Sequence, residues 1–246
     1  MLRFAFFLSL CASAAGALAA PLLPARVILV GDSTMAPRTG YGEALCARLL
    51  PGVACVNLAR GGRSSGSFRA EGLWNTVQEQ LRAGAPYSAT YVLIQFGHND
   101  QPGKPARSTD LVTQYPANLA RYVSETRALG GVPILVTPLT RRSFRGPWLH
   151  DDLAPWSAAV RTIARQQQAD LLDLNKYSAA AVQAMGPAQA DTLAQEPATQ
   201  QALPDGRKSA FDYTHVGPKG AVLFSGIVLR DLVRLHPALA ASLRPL

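Results

Sequence analysis

Residues 27–36 read VILVGDSTMA, a short apolar run that ends in a polar turn. Four apolar residues are too few for a typical helix, whereas a run of this length is typical of a strand buried on both faces of a parallel sheet. The turn places Ser33 at the carboxyl end of that predicted strand. In open α/β sheets ligands bind at this end, so the sequence predicts an α/β fold with Ser33 at the ligand-binding edge.

Similar apolar, β-branched runs recur along the chain, separated by helix-like segments. The predicted strands are residues 27–30, 53–56, 90–94, 132–136 and 171–174. The predicted helices are residues 42–50, 73–82, 111–129, 156–168 and 216–235. Alternating strands and helices predict a three-layer α/β/α sandwich with a five-stranded parallel sheet and right-handed crossovers. Residues 186–210, rich in Ala, Gln and Pro, are expected to be irregular.

The composition is that of a globular protein. The chain has 246 residues, of which 48% are hydrophobic and 16% are charged, and this balance argues against disorder. The net charge of +8 is spread along the chain without a block of like charges, so nucleic acid is not an expected partner. A basic surface either attracts a polyanionic substrate or keeps the protein soluble, and composition leaves both open.

Residues 1–19 have the pattern of a secretory signal peptide. Arg3 precedes an apolar run over residues 4–10, and a small-residue stretch ends at Ala19. That run is shorter than the roughly 20 residues that a spanning helix needs, and no later segment qualifies, so stable membrane insertion is not expected. We expect residues 20–246 to form one domain of an exported, monomeric protein, either periplasmic or extracellular.

Two cysteines, Cys46 and Cys55, remain after the predicted signal peptide. They form either one disulfide that closes a short loop or a pair of buried free thiols. Export favours the disulfide, because oxidising compartments allow it to persist.

Ser33 is a candidate nucleophile only if a base can remove its proton. Of the four histidines, His215 has Asp212 three residues earlier, a spacing that lets one tight turn hold the carboxylate against the imidazole. We therefore predict Ser33 as nucleophile, His215 as general base and Asp212 as the orienting carboxylate. Asp173, at the end of the fifth predicted strand, is the rival acid.

Acyl transfer also requires donors for the oxygen that becomes negative. Gly62 follows the second predicted strand and can present its backbone N–H without a side chain in the way. Asn99 follows the third predicted strand and carries a side-chain amide donor. Both loops are expected at the same sheet edge as Ser33, so Gly62 and Asn99 are the predicted oxyanion donors.

Four motifs resemble the four blocks of SGNH/GDSL hydrolases, in the usual order of that superfamily. They are Gly31-Asp32-Ser33-Thr34-Met35-Ala36, Gly62-Arg63-Ser64, Phe96-Gly97-His98-Asn99-Asp100 and Asp212-Tyr213-Thr214-His215. Within the superfamily the chain most resembles the rhamnogalacturonan acetylesterases, over nearly all of residues 20–246. The resemblance implies a flavodoxin-like fold, no metal or other cofactor, and ester hydrolysis through an acyl-enzyme. It also implies that Ser33 supplies the first oxyanion N–H.

The resulting function is an exported carbohydrate O-acetylesterase acting on an acetylated polysaccharide or oligosaccharide. Pectic rhamnogalacturonan is the first expected substrate, and acetylated xylan or another glycan is next. One alternative is a broad esterase, thioesterase or lysophospholipase, which needs a hydrophobic groove for a long acyl chain. Another is a noncatalytic carbohydrate-binding protein. Residues 145–155 have no assigned role. Trp148 lies in this segment and Trp156 follows it, and each of the two rings either stacks on sugars or belongs to the core.

Overall fold

The computed structural model describes residues 23–195 and 211–244. The predicted signal peptide, residues 1–19, lies outside the described residues. The strands are β1 (Ala25–Gly31), β2 (Ala54–Asn57), β3 (Ala89–Gln95), β4 (Val132–Val136), β5 (Phe144–Arg145), β6 (Trp148–Leu149) and β7 (Asp170–Leu172). The helices are α1 (Gly42–Ala47), α2 (Ser67–Ala70), α3 (Leu73–Arg82), α4 (Gln114–Ala128), α5 (Ala154–Gln166), α6 (Leu174–Asp191), α7 (Pro218–Leu235) and a 3₁₀ helix (Pro237–Ser242).

Five parallel strands form the main sheet in the order β2-β1-β3-β4-β7. Val27 in β1, for example, pairs with Cys55 on one side and Tyr91 on the other. Counted along the parallel strands alone, this is the 2-1-3-4-5 order of flavodoxin-like sheets. The predicted five-stranded parallel sheet is therefore confirmed. The strand order reverses between β1 and β3, and a crevice at such a point is where α/β sheets bind ligands.

Helices cover both faces of the sheet and bury alternate residues of each strand. Val27 and Leu29 point into one core, which also contains side chains of α1, α6 and α7. Ile28 and Val30 point into the other, with side chains of α3, α4 and α5. This two-residue alternation, apolar on both faces, is why the strands read as continuous apolar runs. The three-layer sandwich is confirmed.

Two of the predictions about regular structure are wrong. The fifth strand ends at Leu172 and not at residue 174, because Leu174 begins α6. Helix α6 itself was not expected, and it contradicts the irregular assignment over residues 186–191. The Gly186-Pro187 pair resembles a loop in sequence and is a kink in the structure, with Gly186 at φ 70°. The remaining predicted helices and strands agree with the observed ones to within three residues at each end.

The segment without an assigned role contains a small hairpin. Strands β5 and β6 are antiparallel, with Arg145 opposite Trp148. Trp148 is 70% exposed, whereas Trp156 is buried and packs edge-on against Tyr115 of α4. Trp156 thus belongs to the core, and Trp148 is an exposed ring on the hairpin.

A disulfide joins Cys46 at the end of α1 to Cys55 in the edge strand β2. Helix α1 is thereby linked covalently to the sheet. In the ranges 23–195 and 211–244, no helix is both long enough and apolar enough to cross a bilayer.

Candidate active site

The predicted site residues lie on four loops at one end of the sheet. Ser33 follows β1, Gly62 follows β2 and Asn99 follows β3, while Asp212 and His215 precede α7. Since β1 and β3 are neighbours at the point where the strand order reverses, their loops border one crevice. The loop before α7 reaches the same crevice, because the backbone N–H of Val216 donates to the carbonyl of Thr39 in the loop after β1.

Ser33, His215 and Asp212 form a continuous chain of hydrogen bonds. Ser33 Oγ lies 2.8 Å from His215 Nε2, and His215 Nδ1 lies 2.8 Å from Asp212 Oδ2. If Nδ1 donates its proton to the carboxylate, Nε2 is free to accept the hydroxyl proton of Ser33. This is the geometry that activates a serine for nucleophilic attack.

The second carboxylate oxygen of Asp212 orders its own loop. Asp212 Oδ1 accepts the backbone N–H groups of Thr214 and His215, both at 2.9 Å. Partial burial pushes the pKa of Asp212 upward, but these backbone hydrogen bonds and the contact with His215 outweigh it and hold that pKa below its usual value of 3.8. Asp212 is therefore ionised at neutral pH, as a group that stabilises an imidazolium must be.

Arg142 donates hydrogen bonds to the backbone carbonyls of the same loop. Its Nη2 donates to the carbonyl oxygens of Asp212 at 2.7 Å and His215 at 2.8 Å, and its backbone N–H donates to the carbonyl of Tyr213. The Arg142 side chain is fully buried. Burial lowers the pKa of its guanidinium, which the charges of Asp212 and Asp191 partly offset. This contact of Arg142 was not expected from sequence, because its partners lie some seventy residues away.

A buried network fixes the turn that carries Ser33. Tyr41 donates to Gln95 Oε1 at 2.7 Å, and Gln95 Nε2 donates to Thr34 Oγ1 at 2.6 Å. The hydroxyl and backbone N–H of Thr34 then donate to Asp32 Oδ1 at 2.8 and 2.9 Å. The Asp32 carboxylate thus stabilises the turn that carries Ser33.

Asp32 also links the first loop to the third. Its Oδ2 lies 3.4 Å from Nδ1 of His98, and both side chains are buried. Burial raises the pKa of Asp32, but the attraction of His98, with the hydrogen bonds from His98 and Thr34, brings it below 3.8. Residues 23–195 and 211–244 contain no cluster of three or more His, Cys, Asp or Glu side chains that could hold a metal ion, so His98 belongs to no such cluster.

Arg107 contacts both of the other predicted oxyanion donors, Gly62 and Asn99. Gly62 adopts φ 77°, a backbone conformation that favours glycine. Asn99 Nδ2 donates one proton to the carbonyl of Arg63 at 3.1 Å, and an amide has a second proton to give. Arg107 Nη1 contacts Asn99 Oδ1 at 3.4 Å and the Gly62 carbonyl at 3.5 Å. The contact with Arg107 was not expected from sequence.

Asp100 ties the second loop to the third. Its Oδ1 accepts hydrogen bonds from the hydroxyls of Ser65 at 2.6 Å and Thr109 at 2.9 Å, and from the backbone N–H of Ser65 at 3.0 Å. Burial nevertheless raises the pKa of Asp100 from 3.8 to about 6. The charge of Asp32 acts in the same direction, and the hydrogen bonds act against it.

The rival acid and the other histidines are engaged elsewhere. Asp173 accepts two hydrogen bonds from Arg161 and one from Thr137, all between 2.9 and 3.0 Å. His236 lies 2.9 Å from Asp170, and His150 lies 3.0 Å from Arg145. The carboxylate that contacts His215 is therefore Asp212.

A groove of about 860 Å³ opens beside Ser33. Its wall includes Gly61, where an added Cβ would lie 3.7 Å from Cβ of Ser33, and Thr39, whose hydroxyl donates to the Ser33 carbonyl at 2.8 Å. Its polar lining residues include Arg38, Thr39, Asn57, Arg60, Arg63 and Gln195. A lining rich in charged and amide groups suits a polar ligand better than a long acyl chain.

Comparisons with known proteins identify the family of the chain. A family model described as the GDSL-like lipase/acylhydrolase family matches residues 29–223. The chain is 31% identical over 222 residues to a rhamnogalacturonan acetylesterase of Bacillus subtilis (strain 168), covering 86% of this chain and 91% of the relative.

Solved structures share the fold. Protein YXIM of Bacillus subtilis superposes with a TM-score of 0.67 at 22% identity over 89% of this chain, which spans 58% of that protein. Axe2, an acetylxylan esterase from Geobacillus stearothermophilus, gives a TM-score of 0.58 at 20% identity, over 86% of this chain and 94% of Axe2. Because the family model covers most of the chain, the protein belongs to the GDSL-like lipase/acylhydrolase family and is a carboxylic ester hydrolase.

Proposed function

We propose that the protein is an exported serine esterase that removes O-acetyl groups from a plant cell-wall polysaccharide, with rhamnogalacturonan as its first substrate. The observation that carries the proposal is the chain of hydrogen bonds from Ser33 through His215 to Asp212. A noncatalytic carbohydrate-binding protein does not require a serine, a histidine and an aspartate linked by hydrogen bonds.

In the first half of the reaction, Ser33 Oγ attacks the carbonyl carbon of the acetyl group while His215 Nε2 takes the hydroxyl proton. The C–O bond to the sugar then breaks, and His215 gives that proton to the departing sugar oxygen. The product is a free sugar hydroxyl and an acetyl group bonded to Ser33. A water molecule then attacks the acetyl-enzyme by the same steps and releases acetate.

The negative oxygen of each tetrahedral intermediate is stabilised by donors from three loops. These are the backbone N–H groups of Ser33 and Gly62 and the second amide proton of Asn99. Arg107, in contact with both Gly62 and Asn99, keeps two of the three donors at a set spacing. Donors positioned before the reaction cost no reorganisation when the charge develops.

The substrate class is supported by the relatives and by the groove. The Bacillus subtilis relative is a rhamnogalacturonan acetylesterase, and the groove beside Ser33 has a polar lining with three arginines. A thioesterase or lysophospholipase would need a hydrophobic groove in that place. Acetylated xylan is the second candidate, since Axe2 is an acetylxylan esterase with the same fold.

Export is proposed from the sequence. Residues 1–19 have the pattern of a signal peptide, and the disulfide between Cys46 and Cys55 is a bond that persists in oxidising compartments. Periplasmic and extracellular locations both satisfy these observations.

Acetate release from acetylated rhamnogalacturonan, acetylated xylan and nitrophenyl acetate tests the proposal. We expect Ser33→Ala to lower kcat on the order of 10⁴-fold or more, because without the nucleophile only binding and oxyanion stabilisation remain. Ser124→Ala, on the exposed face of α4, serves as the control and should leave kcat unchanged.

The three substrates separate the parts of the proposal. If the protein hydrolysed nitrophenyl acetate but neither polysaccharide, the mechanism would stand and the proposed substrate class would be rejected. Preference for xylan would replace rhamnogalacturonan as substrate. Full activity of Ser33→Ala would reject the mechanism.

A further inference from the structure

The groove beside Ser33 carries positive charge that is not neutralised within the described chain. Three arginines line it: Arg38, Arg60 and Arg63. Arg63 is paired with Glu71 at 2.7 Å and donates to the Gly61 carbonyl at 2.8 Å. Arg38 and Arg60 make no ion pair with any acidic residue in the described ranges, and none of the groove's lining residues is acidic.

The position of these two arginines is tied to the nucleophile. Arg38 lies in the turn that leaves Ser33, directly before Thr39, which donates to the Ser33 carbonyl. It adopts φ 70°, a conformation that is uncommon for a residue with a side chain and recurs at functional sites. Arg60 precedes Gly61, where an added Cβ would lie 3.7 Å from Ser33 Cβ, and the backbone N–H of Arg60 donates to the Gly31 carbonyl at 2.9 Å. Both arginines thus belong to loops that also shape the acyl site.

The chemistry of the lining suits an anionic group such as a carboxylate. All three cations are arginines, whose planar guanidinium binds a carboxylate through two parallel hydrogen bonds. No aromatic ring is among the lining residues in the described part of the chain, so the groove has no platform on which the face of a neutral sugar could stack. Thr39, Asn57, Thr76 and Gln195 can serve sugar hydroxyls.

Two arginines on the other side of the site are already engaged. Arg141 forms an ion pair with Asp152 and donates to Thr214 at 3.0 Å. Arg107 contacts Asn99 and Gly62. Among the three arginines of the groove, Arg38 and Arg60 are the two that have no acidic partner within residues 23–195 and 211–244.

We propose that Arg38 and Arg60 form a uronate-binding subsite, in which their guanidinium groups bind carboxylates of the polysaccharide chain whose acetyl group lies at Ser33. The inference rests on the proposed function and adds the means by which an anionic polymer is distinguished from a neutral one. A groove of about 860 Å³ is within the range of about 300–1,000 Å³ that holds drug-sized ligands, so it has room for a short oligosaccharide segment.

The test compares two forms of one substrate that differ only in charge. Acetylated rhamnogalacturonan oligosaccharides are assayed with free carboxylates and after methyl esterification of those carboxylates. We expect the ratio of kcat/KM for the acid form to that for the ester form to fall about tenfold in the Arg38→Gln/Arg60→Gln variant, since hydrogen bonds between charged groups are lost only for the acid form. Thermal unfolding is measured to show that the variant is folded.

The control removes the same charge elsewhere. Arg82 at the end of α3 and Arg230 in α7 are exposed and do not line the groove, so Arg82→Gln/Arg230→Gln lowers the net charge equally. It should leave the ratio unchanged. An equal fall in both double variants, or no fall in the groove variant, would overturn the subsite.

A binding measurement separates this inference from the proposed function. Calorimetry with Ser33→Ala, titrated with deacetylated free-acid oligosaccharides, should show binding that weakens about tenfold when Arg38→Gln/Arg60→Gln is added. If the wild-type protein does not deacetylate the polymer but this binding is seen, the subsite stands and the proposed substrate fails. If deacetylation proceeds and binding does not depend on the arginines, the function stands and the subsite fails.

Discussion

Arg142 has no exposed surface, and yet its guanidinium is charged at any physiological pH. Its partners are backbone carbonyls of the loop that carries Asp212 and His215. A buried cation of this kind is tolerated because Nη2 donates two short hydrogen bonds and because Asp212 and Asp191 lie close enough to offset its charge partly. The orientation of the histidine thus depends on a residue that does not touch the substrate.

Arg142→Lys should impair both stability and catalysis. An ammonium group cannot reproduce the forked geometry of a guanidinium, so at least one carbonyl of the loop is left unpaired. We expect the free energy of unfolding to fall by about 2–3 kcal/mol and kcat to fall on the order of 100-fold, because a displacement of about 1 Å in a catalytic group has that effect. Urea unfolding and nitrophenyl acetate kinetics measure the two quantities.

Arg145→Lys is the matched control, since Arg145 is exposed on the hairpin near His150. Both of its values should equal those of the wild-type protein. If Arg142→Lys were as active as the control, the loop would not need the guanidinium.

Asp100 makes the stability of the protein depend on pH in the weakly acidic range. Its pKa is raised to about 6 in the folded protein, against an ordinary value of 3.8. Between these values the folded state binds a proton that the unfolded state has lost, so the stabilising contribution is complete below pH 3.8 and is lost as the pH rises through about 6. The full effect is at most about 3 kcal/mol.

Asp100→Asn removes this titration and keeps the shape of the side chain. We expect the free energy of unfolding of the wild-type protein to decline relative to that of Asp100→Asn as the pH rises from about 4 to about 7. Urea unfolding at several pH values gives the difference. Parallel curves for the two proteins would contradict the raised pKa.

At the scale of secondary structure elements, the disulfide joins two elements that otherwise meet through side-chain packing and a hydrogen bond from Asn57 Nδ2 to Glu43 Oε1 at 3.0 Å. Cys46 lies at the end of the six-residue helix α1, and Cys55 lies in β2, an edge strand of four residues. Short elements at an edge have few hydrogen bonds to hold them, so a covalent link there restricts local opening.

The double substitution Cys46→Ser/Cys55→Ser should lower the free energy of unfolding by about 2–3 kcal/mol, as expected from the loss of a loop closed between residues nine positions apart. The kcat of the folded variant should match that of the wild-type protein. Thermal unfolding with and without a reductant measures the effect. A reductant that destabilised the double variant as much as the wild-type protein would show that the disulfide is not the cause.

Helix α6 shows why one element was missed in the sequence. Its residues include several alanines and glutamines and few large apolar side chains, so the periodic apolar face that identifies an amphipathic helix is weak. Gly186 and Pro187, which usually interrupt helices, lie inside it. The helix forms because Leu174 and Val182 are buried in the core shared with α7, a contact that depends on how the layers pack.

At the scale of the whole molecule, the net charge of +8 should attract an anionic polymer. Raising the ionic strength from about 0.01 M to about 0.5 M shortens the range of that attraction several-fold. We expect kcat/KM for the acidic polysaccharide to fall about tenfold over this range, through slower association. The value for nitrophenyl acetate should change little, because that substrate is neutral. Equal salt dependence for the two substrates would contradict electrostatic attraction.

The sequence by itself determined the strands of the main sheet, the four motifs and the pairing of Asp212 with His215. Each strand of the main sheet contains a local apolar run, which is typical of burial on both faces of a sheet. The pairing of Asp212 with His215 is equally local, since the two residues are three positions apart and one turn closes the contact. Physical rules that act over a few residues were enough for these predictions.

The tertiary structure decided every contact that joins distant parts of the chain. Ser33 meets His215 across 182 positions, Arg142 meets the loop of Asp212 across about 70, and Arg107 reaches back to Gly62 across 45. No periodicity encodes these distances, because they follow from the strand order and from how the helices pack on the two faces. The groove with Arg38 and Arg60 belongs to the same class, since its walls come from four segments that are separate in sequence: residues 36–39, residues 57–63, helix α3 and Gln195.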